Sequence, residues 1–142
     1  MKSACLATLA LLVFAPALAE DTRQLASLHP QAQETLRQEM RDNLMALNQI
    51  VTLLATNQVK EAGELAEKAL GRGAMGQHAR KPFEARPGPQ MPTAMHDIGR
   101  SSHIVASDFA RAAATGDRDK ALAELPAVLG ACVACHSSYR IR

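Results

Sequence analysis

Between Gln31 and Ala55 the apolar residues Leu36, Met40, Leu44, Leu47, Val51 and Leu54 recur at steps of four, four, three, four and three, with charged residues opposite them. That is the period of an amphipathic helix with a long interior stripe. Asn57 to Leu70 follows, with Val59, Ala62, Leu65, Ala66 and Ala69 on one side, Asn57 placed as an N-cap and Gly71 as a stop. The first two helices are therefore expected to pair antiparallel through a tight turn. Residues 71 to 92 hold Gly71, Gly73, Gly76, Pro82, Pro87, Gly88, Pro89 and Pro92, too many breakers for a regular element. This stretch reads as a long crossing loop. Thr93 can cap a third helix to Thr115, with Met95, Ile98, Ser102, Val105, Phe109 and Ala112 at helical spacing and Gly116 as terminator. Asp117 and Asp119 favour the start of a fourth, whose stripe is Leu122, Leu125, Leu129, Cys132 and His136. Pro126 inside it removes a backbone donor and crowds the carbonyl of Leu122, so a kink or a restart is expected there. No segment alternates with the two-residue period of a half-buried strand. The pattern predicts an all-α, antiparallel four-helix bundle.

The first twenty residues, MKSACLATLALLVFAPALAE, fall outside that pattern. One lysine, an apolar run from Leu6 to Phe14 and the small residues Ala17 and Ala19 form a secretory signal with cleavage expected after Ala19. The run is shorter than the roughly 20 residues a membrane span requires. The expected organisation is a signal peptide over 1–19 and one domain over 20–142, exported to the periplasm. Cys5 leaves with the signal. Loss of Lys2 takes Lys plus Arg from 16 to 15 against 14 Asp plus Glu, a formal charge of +1. With no basic block, nucleic acid and anionic membrane surfaces are not expected partners. Only Phe83, Phe109 and Tyr139 remain as aromatics, with no Trp. A bundle of Ala and Leu packs thin, leaving room for a large flat apolar group.

The chemistry is concentrated at the end of the chain. Cys132-Val133-Ala134-Cys135-His136 is the C-x-x-C-H pattern of covalent c-type haem attachment. Two thiols bond to the two vinyl groups on one edge of the porphyrin, and the adjacent imidazole is carried beneath the iron as proximal ligand. Three other readings are weaker. A Cys132–Cys135 disulfide would staple a very small loop, with little chain-entropy benefit. A thioredoxin-like pair needs a strand-to-helix setting, and a zinc site needs a further ligand set that is missing once Cys5 is removed. Only six residues follow His136, none of them Met, His, Lys or Cys, so any sixth iron ligand lies upstream. That excludes cytochromes with the motif near the N-terminus and a methionine downstream.

On these residues, chiefly CVACHSSYR, the chain resembles a class II c-type cytochrome of the cytochrome c-prime superfamily over roughly residues 31 to 142. The resemblance implies a four-helix bundle with one covalently bound haem c. It also implies an aromatic followed by a basic residue after the haem histidine, which Tyr139-Arg140 matches. Arg140 is four residues past His136, a same-face spacing on a continuing helix that would let its guanidinium pair with a haem propionate. The alternative for Arg140 is a solvated terminal charge.

In an up-down-up-down bundle the first helix starts where the fourth ends. At a rise of about 1.5 Å per residue, Met40 lies about 14 Å inside helix 1 and His136 about 9 Å from the C-terminus. Met40 is therefore the expected distal ligand, and the low-spin branch of class II implies the same for a methionine early in helix 1. Met45 is the rival, but lies about 100° past Leu44, toward the flank. A Met/His pair closes both axial positions, raises the potential and suits electron transfer. An apolar group in place of Met40 would leave a five-coordinate iron open to nitric oxide or carbon monoxide, which is cytochrome c-prime behaviour.

His78, Met91, Met95, His96 and His103 gather soft sulfur and imidazole around the long loop and the third helix. They make a copper-handling module a further alternative, against ordinary packing and solvation. No Ser/His/Asp set, paired carboxylates or phosphate loop recommends an enzyme. The expectation is thus an exported electron carrier whose partners are redox proteins, with no membrane span after signal cleavage. Class II bundles also imply a homodimer, for which this sequence offers no decisive patch.

Overall fold

The computed structural model describes residues 20–142; the expected signal peptide and its cleavage site at Ala19 lie outside the described residues. Four helices run Pro30–Ala55 (α1), Val59–Ala69 (α2), Thr93–Ala114 (α3) and Arg118–Ser138 (α4). The mostly helical chain expected from the periodicity is what the structure shows.

Local chemistry accounts for the ends. Pro30, with its fixed φ, opens α1, and His29 Nδ1 accepts from the Gln31 N–H. Asn57 is not the N-cap of α2: it turns the chain in the left-handed region at φ 60°, which Asn tolerates, and Gln58 precedes the helix. Thr93 is likewise the first residue of α3 rather than its cap, a place taken by Pro92. Gly116, at φ 77°, ends α3, and the Asp117 side chain caps α4 by accepting from the Lys120 N–H at 3.1 Å. Helix α4 runs through Pro126 without a restart.

Neighbouring helices are antiparallel. A Cβ on Gly63 of α2 would meet Ala113 of α3, while beyond the other end of α2 the Leu70 carbonyl is bonded by His103 Nδ1 at 2.8 Å. α2 is too short to accompany all of α1. The segment between α2 and α3 takes over its place, with three 3₁₀ turns at Arg72–Ala74, Phe83–Ala85 and Gly88–Gln90. It reaches the first half of α1 through Gln77 and His78, whose side chains meet the two carboxylate oxygens of Glu39 at 3.1 and 3.2 Å.

Two apolar clusters fill the interior. The larger joins Ile50, Leu54, Val59, Ala62, Ala66, Phe109, Ala113, Ala121 and Val128 from all four helices. The smaller lies at the opposite end of the bundle: Ala26, Leu28, Ala32, Leu36 and Met95 are buried, with Met40, Met91, Cys135, Tyr139 and Ile141 packed against them.

α1 packs on α2, α2 on α3 and α3 most extensively on α4, while the backbones of α1 and α4 stay farther apart, their side chains sharing the two clusters. That seam is bridged at one end by a feature absent from the sequence-based expectation, a two-residue parallel pairing of Gln24–Leu25 (β1) with Tyr139–Arg140 (β2). It places the start of α1 beside the end of α4. By length and composition α4 is the one described helix apolar enough to cross a membrane, although 11% of its most apolar window is buried. One of its faces is committed to the bundle through Ala121, Leu125 and Val128.

Candidate functional site

The expected interior stripes of α1 and α4 are only partly interior. In α1 the buried residues are Ala32, Thr35, Leu36, Ala46, Ile50 and Leu54, whereas Leu44 and Val51, expected inside, are 68% and 46% exposed. At about 100° per residue, Met40, Leu47, Val51 and Leu44 spread from about 20° to about 80° past Leu36, on one side of the buried face. Thr35, Glu39 and Ala46 lie on the other side. Thr35 and Glu39 line a polar cavity of about 240 Å³ with Lys68 and Ala69, His78 and Lys81, so the apolar flank points away from α2 and its continuation.

The same rotation occurs in α4. Ala121, Val128 and Cys135 share the face that packs inward, while Leu122 and Leu129, 42% and 40% exposed, lie about 80° to 100° beyond Ala121. His136, at about 60°, is on that flank, and Cys132 borders it. Two antiparallel neighbours turn toward each other by rotating in the same sense, each viewed along its own chain. The apolar flanks of α1 and α4 therefore face a common seam that neither backbone closes. The sequence periodicity located these stripes correctly as apolar but could not distinguish a stripe packed by protein from one left facing a gap.

The site residues fall along this seam. Cys135 and Met40 pack against the same small cluster, with Met91, Met95 and Tyr139. Met40 and His136 lie on the facing flanks, at the end where β1 and β2 join the helices. Met45 does not share this place: it is 62% exposed and about 140° round α1 from Met40. Cys132 is exposed, Cys135 half-buried, and the two are unbonded thiols. Partial withdrawal of the sulfur atoms from water pushes both thiols above their ordinary pKa, even though the Cys132 residue as a whole is exposed, and the charge of Cys132 adds to the rise at Cys135. They sit at the C-terminal end of α4, where the helix carries partial negative charge, the opposite of the setting that activates a redox thiol pair.

Arg140 departs from the helical placement expected of it. α4 ends at Ser138, so Arg140 belongs to β2 and the same-face spacing with His136 does not apply. Its Nε is buried with no hydrogen-bond partner and lies 3.6 Å from Asp21 Oδ2. Arg23, which the sequence did not single out, donates from Nη1 to the His136 carbonyl at 3.3 Å. The signal for this strap was thin: Leu25, Ala26 and Leu28 are apolar in an otherwise polar stretch, too short to show a period.

The methionine and histidine group divides. Met91 and Met95 join the cluster around Cys135, His78 is held by Glu39, and His103 by the Leu70 carbonyl. Beside Gly88, a Cβ would come 3.7 Å from the His96 ring. Among the described residues no group of three His, Cys, Asp or Glu side chains converges on a metal position. A second cavity, of about 520 Å³, opens between α2 and α3 beside Lys60, Glu67, Arg72 and Ser107, and neither cavity includes Cys132, Cys135 or His136.

The residues fit a covalently held planar apolar group. Cys132 borders an exposed apolar flank of α4 that also carries His136, and Cys135 lies on the inward face beside it. The Met40 thioether lies on the flank of α1 turned toward that seam, and the Arg140 guanidinium just past the end of α4 is ion-paired with Asp21. No family model, curated protein or solved structure matches the chain.

Proposed function

We propose that this chain is an exported, periplasmic class II c-type cytochrome that carries electrons. One haem c is held by thioethers from Cys132 and Cys135, with His136 as proximal and Met40 as distal ligand. The observation that carries the reading is the C-x-x-C-H motif at the end of α4, with Cys135 packed against the same small cluster as Met40 and with His136 on a helix flank whose apolar residues are exposed. Bound haem iron supplies one-electron chemistry. The chain's own contribution is to anchor, to ligate and to exclude water. Cys132 and Cys135 would hold the group covalently, and His136 and Met40 would ligate its iron, a nitrogen and sulfur donor pair that suits one-electron transfer. Leu44 and Leu129, within about one to two turns of Met40 and His136 on the same flanks, supply apolar surround, which raises the potential by disfavouring the more charged ferric state. Arg140 supplies a cation for a propionate. The partners are other redox proteins, and the function requires no substrate.

The test is the ferric spin state of exported, haem-loaded protein, by absorption and electron paramagnetic resonance, with Met40→Ala and Met45→Ala beside it. The expected result is a low-spin wild type that turns high-spin in Met40→Ala alone. A high-spin wild type unchanged by either substitution would overturn Met40 ligation, and carbon monoxide binding to the reduced form would then make gas binding the function. A chain exported without covalent haem would end the cytochrome reading altogether.

A further inference from the structure

At the end of α4 that bears the C-x-x-C-H motif the backbones of α1 and α4 do not approach closely, and Cys135 meets α1 through the smaller apolar cluster. The segment that precedes α1 ties the two ends together. Gln24 and Leu25 pair with Tyr139 and Arg140, and the Ala26 N–H donates to the Arg140 carbonyl at 2.8 Å. Ala26 and Leu28 are buried beneath, so the segment is a packed strap rather than a passing strand. Farther out, Arg37 Nη2 donates to the terminal Arg142 carbonyl.

Immediately before the paired residues of the strap is a bifunctional contact. Arg23 Nε and Nη2 donate to the two carboxylate oxygens of Asp21 at 2.8 and 2.7 Å, a fork-to-fork pair that fixes the plane of the guanidinium. The remaining nitrogen, Nη1, is thereby aimed at the His136 carbonyl. That carbonyl is one of the last four of α4, which have no amide of the same helix to accept from, and a cation there meets the negative end of the helix dipole.

We infer that Arg23 is a positioning residue for His136: held by Asp21, it clamps the His136 carbonyl and fixes the backbone from which the imidazole projects. The consequence at the iron rests on the proposed function, whereas the clamp itself is a property of the polypeptide. Flexing of the last turn of α4 would tilt the imidazole relative to a macrocycle anchored through Cys132 and Cys135, and ligand orientation is a lever on potential.

The test uses the exported full chain as wild type, Arg23→Ala, Arg23→Lys and Gln24→Ala; Gln24 is exposed and its strand pairing uses only backbone. Amide hydrogen exchange is read over residues 135 to 140. On the haem-bearing protein the midpoint potential and the ferric electron paramagnetic resonance spectrum are read as well. Arg23→Ala is expected to speed exchange in that turn about fivefold, the scale of one charged helix-end contact, while leaving α2 and α3 unchanged. It is also expected to lower the potential, because a cation that disfavours the ferric state is removed, and to alter the ferric spectrum. Arg23→Lys should recover most of each effect and Gln24→Ala should resemble wild type. Unchanged exchange, or exchange accelerated throughout the bundle, would overturn the clamp. Local acceleration with an unmoved potential and spectrum would overturn the positioning role. A chain without haem would refute the proposed function, and the exchange comparison alone would then uphold or overturn the clamp.

Discussion

Cys132 and Cys135 differ from the thiols of a redox enzyme in a way that can be measured. Burial disfavours both thiolates, and the pair stands at the negative end of α4. In the haem-free chain, alkylation by iodoacetamide at neutral pH is therefore expected to be slower than for an ordinary free thiol. The rate should rise only as pH climbs past the usual thiol range; fast alkylation at neutral pH, with a thiolate absorbance, would contradict this. Asp21 carries the opposite shift. Its hydrogen bond from the Arg23 side chain holds its carboxyl at about 2, below the ordinary 3.8. The sign follows: the unfolded chain binds the proton more readily, so what Asp21 adds to stability is complete above about pH 3.8 and is lost as pH falls toward 2. In acid unfolding followed by circular dichroism, Asp21→Asn is expected to resist this part of the transition, with little pH dependence left between those values. An unaltered acid midpoint would show that the strap pair is screened out in solution. The motif itself was legible from sequence because its chemistry depends on local spacing. Arg23 was not, because its partner is a backbone carbonyl 113 residues away.

At the scale of the element, α2 and α3 meet where Gly63 faces Ala113 and Ala110. A Cβ at residue 63 would sit 2.8 Å from the Ala113 Cβ and 3.0 Å from the Ala110 carbonyl oxygen, distances that force the helices apart. Gly63→Ala gains helix propensity but overpacks the seam, and the overpacking wins: a loss of about 1–3 kcal/mol is expected in urea unfolding. A stabilised variant would mean the helices separate at little cost. Phe109 is 1% exposed in the larger cluster, and Phe109→Ala is expected to cost about 3–5 kcal/mol by the same measurement. Helix positions were legible because period, breakers and helix-start residues are local signals, and Gly116 and Asp117 act as such. Asn57 was assigned the wrong job because a capping residue and a left-handed turn residue are drawn from the same few side chains. The rotation of each stripe was also out of reach, since Leu44 and Ile50 are equally apolar and only the neighbouring helices decide which is covered.

For the molecule as a whole, the open seam between α1 and α4 sets the energetics. Leu44, Val51, Leu122 and Leu129 face it and are 40% exposed or more, in a chain with few aromatic residues to bridge the distance. Apolar surface of this extent is stabilised only when something covers it. If haem is the cover, the exported chain with Cys132→Ala and Cys135→Ala should bind an apolar dye such as anilinonaphthalene sulfonate and unfold at lower urea, while the haem-bearing chain should bind little dye. Leu129→Ser separates this from general core damage. It removes the contact a cover would add to what the protein already packs, so the loss is expected to be about 1 kcal/mol larger in the haem-bearing chain than in the haem-free one. Equal losses in the two forms would mean that the cover does not reach Leu129. Dye binding undiminished by haem would mean that the covering surface is something else, and α4, apolar along its length, would then have to meet it.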